Sequence, residues 1–245
     1  MQNSHFAATI GASMDALSAM MQLWLGGLLV AWALVLLGGF VLGKPNAEGT
    51  RRMTLWGRLG SSAILVVAAW SWWWQLRAQH NLTALLLALG MSLGFVGDLC
   101  MAQVFPLKNY VLGGMSAFGL GHVAYIWAGL RIESFNVLSW LIWLIVGALG
   151  WYVVVWHDSS RSRLHQVALP YALLLASTTG IATGVALEQL SMLTFAFGAA
   201  LFLLSDLILA TQLFNDARWR GIGDVVWFTY GPAQALIVYS MAWLL

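Results

Sequence analysis

The sequence predicts an all-α fold, a polytopic transmembrane helix bundle of about eight spans that forms one domain over residues 1–245. Three observations carry that prediction. Of the 245 residues, 61% are apolar and only 8% are Asp, Glu, Lys or Arg, whereas a soluble domain carries about a quarter charged residues. A chain so poor in charge cannot cover a water-facing surface, which excludes a soluble enzyme, a nucleic-acid reader and a disordered chain. The mean hydropathy is +0.81, and 15 Trp supply the aromatics that gather at membrane interfaces. The length also fits, because eight spans of about 20 residues use about 160 residues and leave only short connections. Net charge is +2, so the expected partners are membrane lipids, with no nucleic acid. Cys100 is the single cysteine, which excludes an internal disulfide framework.

In chain order, apolar spans are expected at 22–43, 57–76, 82–103, 110–130, 136–156, 167–187, 190–213 and 225–245. Charge and turn residues mark the breaks. They are Lys44-Pro45-Asn46 with Arg51-Arg52, Arg77 to Asn81, Phe105 to Asn109, Arg131 to Ser134, His157 to Arg161, Glu188-Gln189, and Asn215 to Asp224. Residues 1–20 hold no Lys or Arg, so the first span lacks the basic flank of a signal peptide and is expected in the mature protein. Trp70, Trp72, Trp73 and Trp74 read as an interface anchor at the end of the second span.

The basic residues orient the bundle. Lys44, Arg51, Arg52, Arg58, Lys108, Arg161, Arg163, Arg218 and Arg220 follow spans 1, 3, 5 and 7, and only Arg77 and Arg131 lie opposite. By the positive-inside rule both termini face away from the cytoplasm, in a bacterial inner (cell) membrane.

Seven of the nine acids fall in termini, loops or span edges: Asp15, Glu48, Glu133, Asp158, Glu188, Asp216 and Asp224. Asp98 and Asp206 instead sit inside apolar spans. A mid-membrane carboxylate costs about 2.5–3.5 kcal/mol on insertion scales, a penalty that packing alone gives no reason to incur. Spans 3 and 7 run in one direction and bring each Asp to one or two turns from the same membrane face. Tyr230 and Gln234 enter at similar depth on one face of span 8, at i and i+4. His122 lies deeper on span 4, with Tyr125 one turn beyond. Gly90, Gly94 and Gly97 on span 3, and the glycines that crowd the start of span 4, allow close helix approach around these side chains. A shift of 108 residues lays Gly90, Leu93, Asp98, Leu99 and Ala102 over Gly198, Leu201, Asp206, Leu207 and Ala210. That echo suggests a 4+4 parallel repeat.

Gly97-Asp98, then Phe118, His122 and Tyr125, then Ser205-Asp206, then Tyr230, Ala233 and Gln234 resemble the motifs of the lysoplasmalogenase (YhhN-like) family of membrane hydrolases. The four motifs run in order over residues 90–240. Gly231-Pro232 departs from the family pattern, and a kink at Pro232 puts the aim of Tyr230 in question. The resemblance implies a lysophospholipid substrate: hydrolysis of the vinyl ether bond of lysoplasmalogen to a fatty aldehyde and glycerophosphocholine or glycerophosphoethanolamine. Such hydrolysis protonates the carbon β to oxygen and traps an oxocarbenium-like cation with water. Two carboxyls, Asp98 and Asp206, suit that need much as in glycosidases, because close buried acids share a proton. Either Asp can take either role.

Around this pair, His122 reads equally as a proton relay or a side chain bonded to a neighbour. Tyr125, Tyr230 and Gln234 read as donors that orient the acids or substrate. Ser205 adjoins Asp206 but points about 100° away on a helix, a poor arrangement for a nucleophile. Arg218 and Arg220 are candidates for meeting a lipid phosphate, and His157 and His165 are expected at the aqueous rim. With His122 the one His inside a span and no HxxxH or HExxH spacing, no metal and no cofactor are expected. The same acids leave two alternatives open: a proton-coupled small-molecule or lipid transporter, and an intramembrane aspartyl protease. The protease reading is weakened by Phe95, which stands where the first Gly of a GxGD motif belongs.

Overall fold

The computed structural model describes residues 2–78, 80–156 and 163–244, and every regular element among them is helical. The helices are α1 (Gln2–Val41), α2 (Leu55–Leu76), α3 (Asn81–Met101), α4 (Tyr110–Ile132), α5 (Val137–Val154), α6 (Arg163–Glu188), α7 (Leu193–Phe214) and α8 (Ile222–Tyr239). Short 3-10 turns at Leu190–Met192 and Ser240–Leu244 lead into α7 and close the chain. Polar residues at the breaks start several helices. The side chains of Thr54, Asn109 and Asn136 accept hydrogen bonds from the backbone N–H of Gly57, Leu112 and Ser139, which satisfies donors that a first turn leaves orphaned.

Among the described residues, six helices are long and apolar enough to cross a membrane: Ser18–Val41, Leu82–Met101, Tyr110–Ile132, Val137–Val154, Leu164–Glu188 and Leu190–Phe214. The chain is an integral membrane bundle. α2 and α8 have similar lengths but carry the polar groups that face the interior, Ser61 and Ser62 on one and Tyr230 and Gln234 on the other. The α1 helix begins at Gln2 rather than at residue 22. A hydropathy pattern marks the part that faces hydrocarbon, whereas the Ala-containing stretch before it continues the helix on propensity. The predicted break at His157 to Arg161 lies outside the described residues.

Consecutive helices pack side by side, α1 on α2, α2 on α3 and α3 on α4, and again α5 on α6, α6 on α7 and α7 on α8. The halves join where α4 meets α6 and where α2 meets α8. A shift of 108 residues exchanges these two junctions, but the smaller contacts of α3 with α8 and of α5 with α7 are not exchanged for any of similar size. The outer helices are α1 and α5, whose membrane windows are only 17% and 11% buried; Leu23, Leu34, Leu138 and Ile145 on them stand exposed as a lipid-facing surface would require. Of the four clustered Trp, only Trp74 is largely exposed, with Arg77 over its ring, whereas Trp72 is buried against Tyr239. His165 is also buried, edge-on to Phe214, rather than facing water. His157 lies outside the described residues.

Asp224 corrects a simpler reading of the edge acids. It sits in the first turn of α8 but is only 4% exposed. Both carboxylate oxygens accept from the backbone N–H of Arg52 (2.9 and 2.8 Å), and Oδ1 also accepts from that of Met53 (2.8 Å). The acid thus ties the loop before α2 to the start of α8. Charge-assisted bonds of this kind hold about 1.5–3 kcal/mol each. Asp224→Ala should therefore lower the thermal unfolding midpoint in detergent by several degrees. Glu48→Ala, which removes only an exposed pair with Arg218, should leave it unchanged.

Candidate active site

The site is built on the glycine face of α3. A Cβ added at Gly90 would lie 2.2 Å from Tyr125 Cε1, at Gly94 2.6 Å from Gln234 Nε2, and at Gly97 2.7 Å from Phe118 Cε1. At each position an added Cβ would force the facing side chain, from α4 or α8, to shift. The glycines therefore admit specific side chains as well as close backbones; at Gly121 an added Cβ would lie 3.0 Å from the Gly90 carbonyl oxygen.

Asp98 ends a directed chain of hydrogen bonds across that face. Tyr125 donates to Gln234 Oε1 (2.8 Å), and Gln234 Nε2 donates to the Tyr230 hydroxyl (3.2 Å). Tyr230 in turn donates to Asp98 Oδ2 (3.0 Å), and Ser62 from α2 donates to the same oxygen at 2.6 Å. Because Tyr230 already accepts from Gln234, its own proton points at Asp98. The carboxyl is 4% exposed and is met here purely as an acceptor. α8 stays helical through Pro232, so the kink does not prevent Tyr230 from reaching Asp98.

Asp206, on α7, is bonded differently. Its Oδ2 accepts from the Tyr171 hydroxyl of α6. The neighbouring Ser205 is fully buried and donates to the Val226 carbonyl at 3.0 Å, so its hydroxyl joins α7 to α8. His122 is 1% exposed and stands apart from the Asp98 chain. Its Nδ1 lies 2.9 Å from Thr178 Oγ1, and that hydroxyl donates to the Leu174 carbonyl. Thr178 therefore accepts from His122, which puts the ring proton on Nδ1. The Nε2 atom has no partner among the described residues, and the ring is framed by Phe202, Tyr125 and Tyr171.

Two cavities meet at Asp206. A polar one of about 130 Å³ is lined by Arg51, Arg58, Asp98, Asp206, Trp227 and Tyr230, among others. A second, of about 70 Å³, runs between α4, α5, α6 and α7 and is apolar apart from Asp206 and Tyr171; Trp151, Leu175, Leu203, Leu207 and Phe214 line it. Phe118 and Asp206 border both, whereas Asp98 borders only the polar one. Both cavities lie toward the end of the bundle where α3 and α7 finish and α4 and α8 begin.

The structure thus brings Asp98, Tyr125, Tyr230 and Gln234 into one chain and sets Asp206 across the same cavity. Ser205 borders that cavity too, with its hydroxyl bonded to the Val226 carbonyl, whereas His122 lines neither cavity. Ser62, Tyr171 and Arg58 join the site without having been singled out from sequence. Ser62 and Tyr171 carried a weak signal, a Ser pair and a Tyr after Pro170 inside apolar spans; Arg58 passed as one more basic flank. Arg218 pairs with Glu48 and Asp216 at the surface, 63% exposed, and lines neither cavity.

A model of the YhhN family matches residues 57–241. The chain belongs to the YhhN family. Within this YhhN-family protein the match takes in α2 through α8, and with them every member of the Asp98 and Asp206 clusters. Lysoplasmalogenase TMEM86B of Sus scrofa is 33% identical over 149 residues, 60% of this chain, and the alignment covers 59% of that relative's length. No solved structure matches the chain.

The glycine face has a direct consequence. Gly90→Ala should destabilise the protein by about 1–3 kcal/mol, as overpacking does, seen as a lower unfolding midpoint. Gly26→Ala, with nothing within 4 Å of the added Cβ, should be neutral or slightly stabilising.

Proposed function

We propose that this protein hydrolyses the vinyl ether bond of lysoplasmalogens, releasing a fatty aldehyde and a glycerophosphocholine or glycerophosphoethanolamine. The observation that carries the reading is the pair of acids on one polar cavity, with one of them also bordering an apolar cavity. A lysoplasmalogen has the same polarity: a head group on one side of the ether oxygen, an alkenyl chain on the other. Family membership and the named activity of the pig relative support it.

The different surroundings of the acids divide the work. The carbon that must be protonated is the one β to oxygen, which lies on the chain side of the bond. Asp206 borders the apolar cavity that takes the first chain carbons, and we assign it as the proton donor. Asp98 faces only the polar cavity and is held as an acceptor by Ser62 and Tyr230; we assign it as the carboxylate that steadies the cation and takes a proton from water. Protonation by Asp206 moves the π electrons into the new C–H bond and leaves positive charge shared by the adjacent carbon and the ether oxygen. Water adds to that carbon as Asp98 accepts its proton. The hemiacetal then collapses: the C–O bond breaks as Asp98 returns its proton to the departing oxygen. The hydroxyl proton passes to Asp206, and both groups are reset. The sum is one water consumed, one aldehyde and one alcohol formed. Tyr230, with Gln234 and Tyr125 behind it, is a positioning residue for Asp98, and Tyr171 plays that part for Asp206. The nine-to-two basic bias supports a cytoplasmic position for this end of the bundle.

The test is aldehyde release from a lysoplasmalogen by purified protein in detergent, with an acyl lysolipid as control. Asp98→Asn and Asp206→Asn should each lower the rate by about 10²–10⁴-fold, the usual range for general acid–base groups, with expression unchanged. Tyr230→Phe should cost about tenfold, one charge-assisted hydrogen bond. Full activity in either Asp variant would remove the two-acid mechanism. Absence of aldehyde with the wild type would favour proton-coupled transport by the same acids.

A further inference from the structure

Arg58 is an anomaly in the polar cavity. It lies in the first turns of α2, and its Nε is buried with no hydrogen-bond partner. Its guanidinium rests over the Trp227 ring, 5.8 Å from the centroid. The ion pairs found among the described residues both belong to Arg218, and neither involves Arg58. Of the nearby acids, Asp224 is held by the backbone of Arg52 and Met53, and Asp98 accepts from Ser62 and Tyr230 through Oδ2. A second cation, Arg51, lines the same cavity and opposes the charge of Arg58, while Asp98 and Asp224 favour it. The two acids of the cavity balance its two cations in number, yet the buried Nε of Arg58 still lacks an acceptor, which the oxygen of a bound anion would supply. A guanidinium offers a planar fork of N–H groups suited to phosphate oxygens.

We propose that Arg58, with Arg51 beside it, binds the phosphodiester of a glycerophospho head group. The inference rests on the lysoplasmalogenase reading for its choice of substrate, and it assigns the polar cavity the part of selecting phosphate-bearing lipids. In a lysoplasmalogen the phosphate and the ether oxygen sit at opposite ends of a three-carbon glycerol, so one cavity must hold both the acids and the phosphate site. Arg58, Asp98 and Asp206 line one cavity here. Stacking on Trp227, whose ring meets Tyr230 edge-on at 5.2 Å, fixes the guanidinium relative to the residue that positions Asp98. The released glycerophosphodiester keeps its phosphate and so acts as a competitive inhibitor, whereas the aldehyde leaves by the apolar side.

The experiment is equilibrium binding to the full-length protein in detergent. The probes are a 1-O-alkyl-glycerophosphocholine, a saturated ether with no vinyl bond to cleave, and the matching 1-O-alkylglycerol, which lacks phosphate. Wild type should bind the phosphate-bearing lipid at least about tenfold more tightly, in keeping with charge-assisted hydrogen bonds. Arg58→Gln should bring the two affinities together, and Arg58→Lys should keep part of the ratio. Should Arg58→Gln not fold, Arg58→Lys and Arg51→Gln carry the test, each with a reduced ratio. Equal affinities in wild type, or a ratio unchanged by every one of these variants that folds, would overturn the proposal. Free glycerophosphocholine serves as competitor to separate the sources. Displacement of the bound lipid extends the site to the released head group, and displacement only by phosphate-bearing lipid restricts it to the lipid-borne one; either supports a phosphodiester site. Because the probe cannot be hydrolysed, the two readings fail separately. Aldehyde release without phosphate dependence removes the Arg58 site alone, and phosphate dependence without aldehyde release removes the hydrolase alone.

Discussion

A carboxyl group carried into the interior of a membrane bundle must be met by hydrogen-bond donors, since no bulk water is there to meet it. Asp98 imposes that constraint on four helices at once. Ser62 of α2 and Tyr230 of α8 donate to one of its oxygens, and Gln234 of α8 with Tyr125 of α4 extends the chain behind Tyr230. The glycines of α3 follow from the same demand, because Tyr125 and Gln234 reach their places across Gly90 and Gly94 only where no Cβ intervenes. Satisfying one acid thereby sets the relative heights of α2, α3, α4 and α8.

Asp206 lives under a looser version of this constraint. It accepts from Tyr171 and opens onto both cavities. The contrast between an acid held by two donors on the polar cavity and one that also faces apolar walls is what gives the proposed reaction its direction. A proton is delivered from the chain side of the bond, and water is handled on the head-group side. The cavities change from polar to apolar along the path that a lysolipid would lie in, so the polarity of the substrate and the polarity of the site run together. His122 bonds Thr178 of α6 through Nδ1, meets Phe202 of α7 edge-on, and does not border either cavity.

Much of the fold was legible because hydropathy and charge speak directly to membrane insertion. The helices fall where apolar runs end at Lys44-Pro45, Phe105-Pro106 or Asn215-Asp216, and the intramembrane acids stood out because so few charges compete for attention. Three things were not legible. Hydropathy cannot report the helical stretch from Gln2, which is a matter of propensity. Burial of Asp224, His165 and Trp72 depends on what folds over them, and a residue at the edge of a span looks the same whether its end is open or covered. Membership of the site by Ser62, Tyr171 and Arg58 depends on which faces of α2 and α6 turn toward α3 and α7. One sequence fixes depth along a helix far better than rotation about it.

The central claim is that Asp206 delivers a proton to the carbon β to the ether oxygen from a fixed side of the site. Running the hydrolysis of a lysoplasmalogen in D₂O, with immediate reduction of the aldehyde to its alcohol, reads that step in the product. The account predicts a single deuterium on the carbon next to the former aldehyde carbon, with one configuration, since the donor stands on one side of the bond. An unlabelled carbon, or deuterium spread over both configurations, would contradict it.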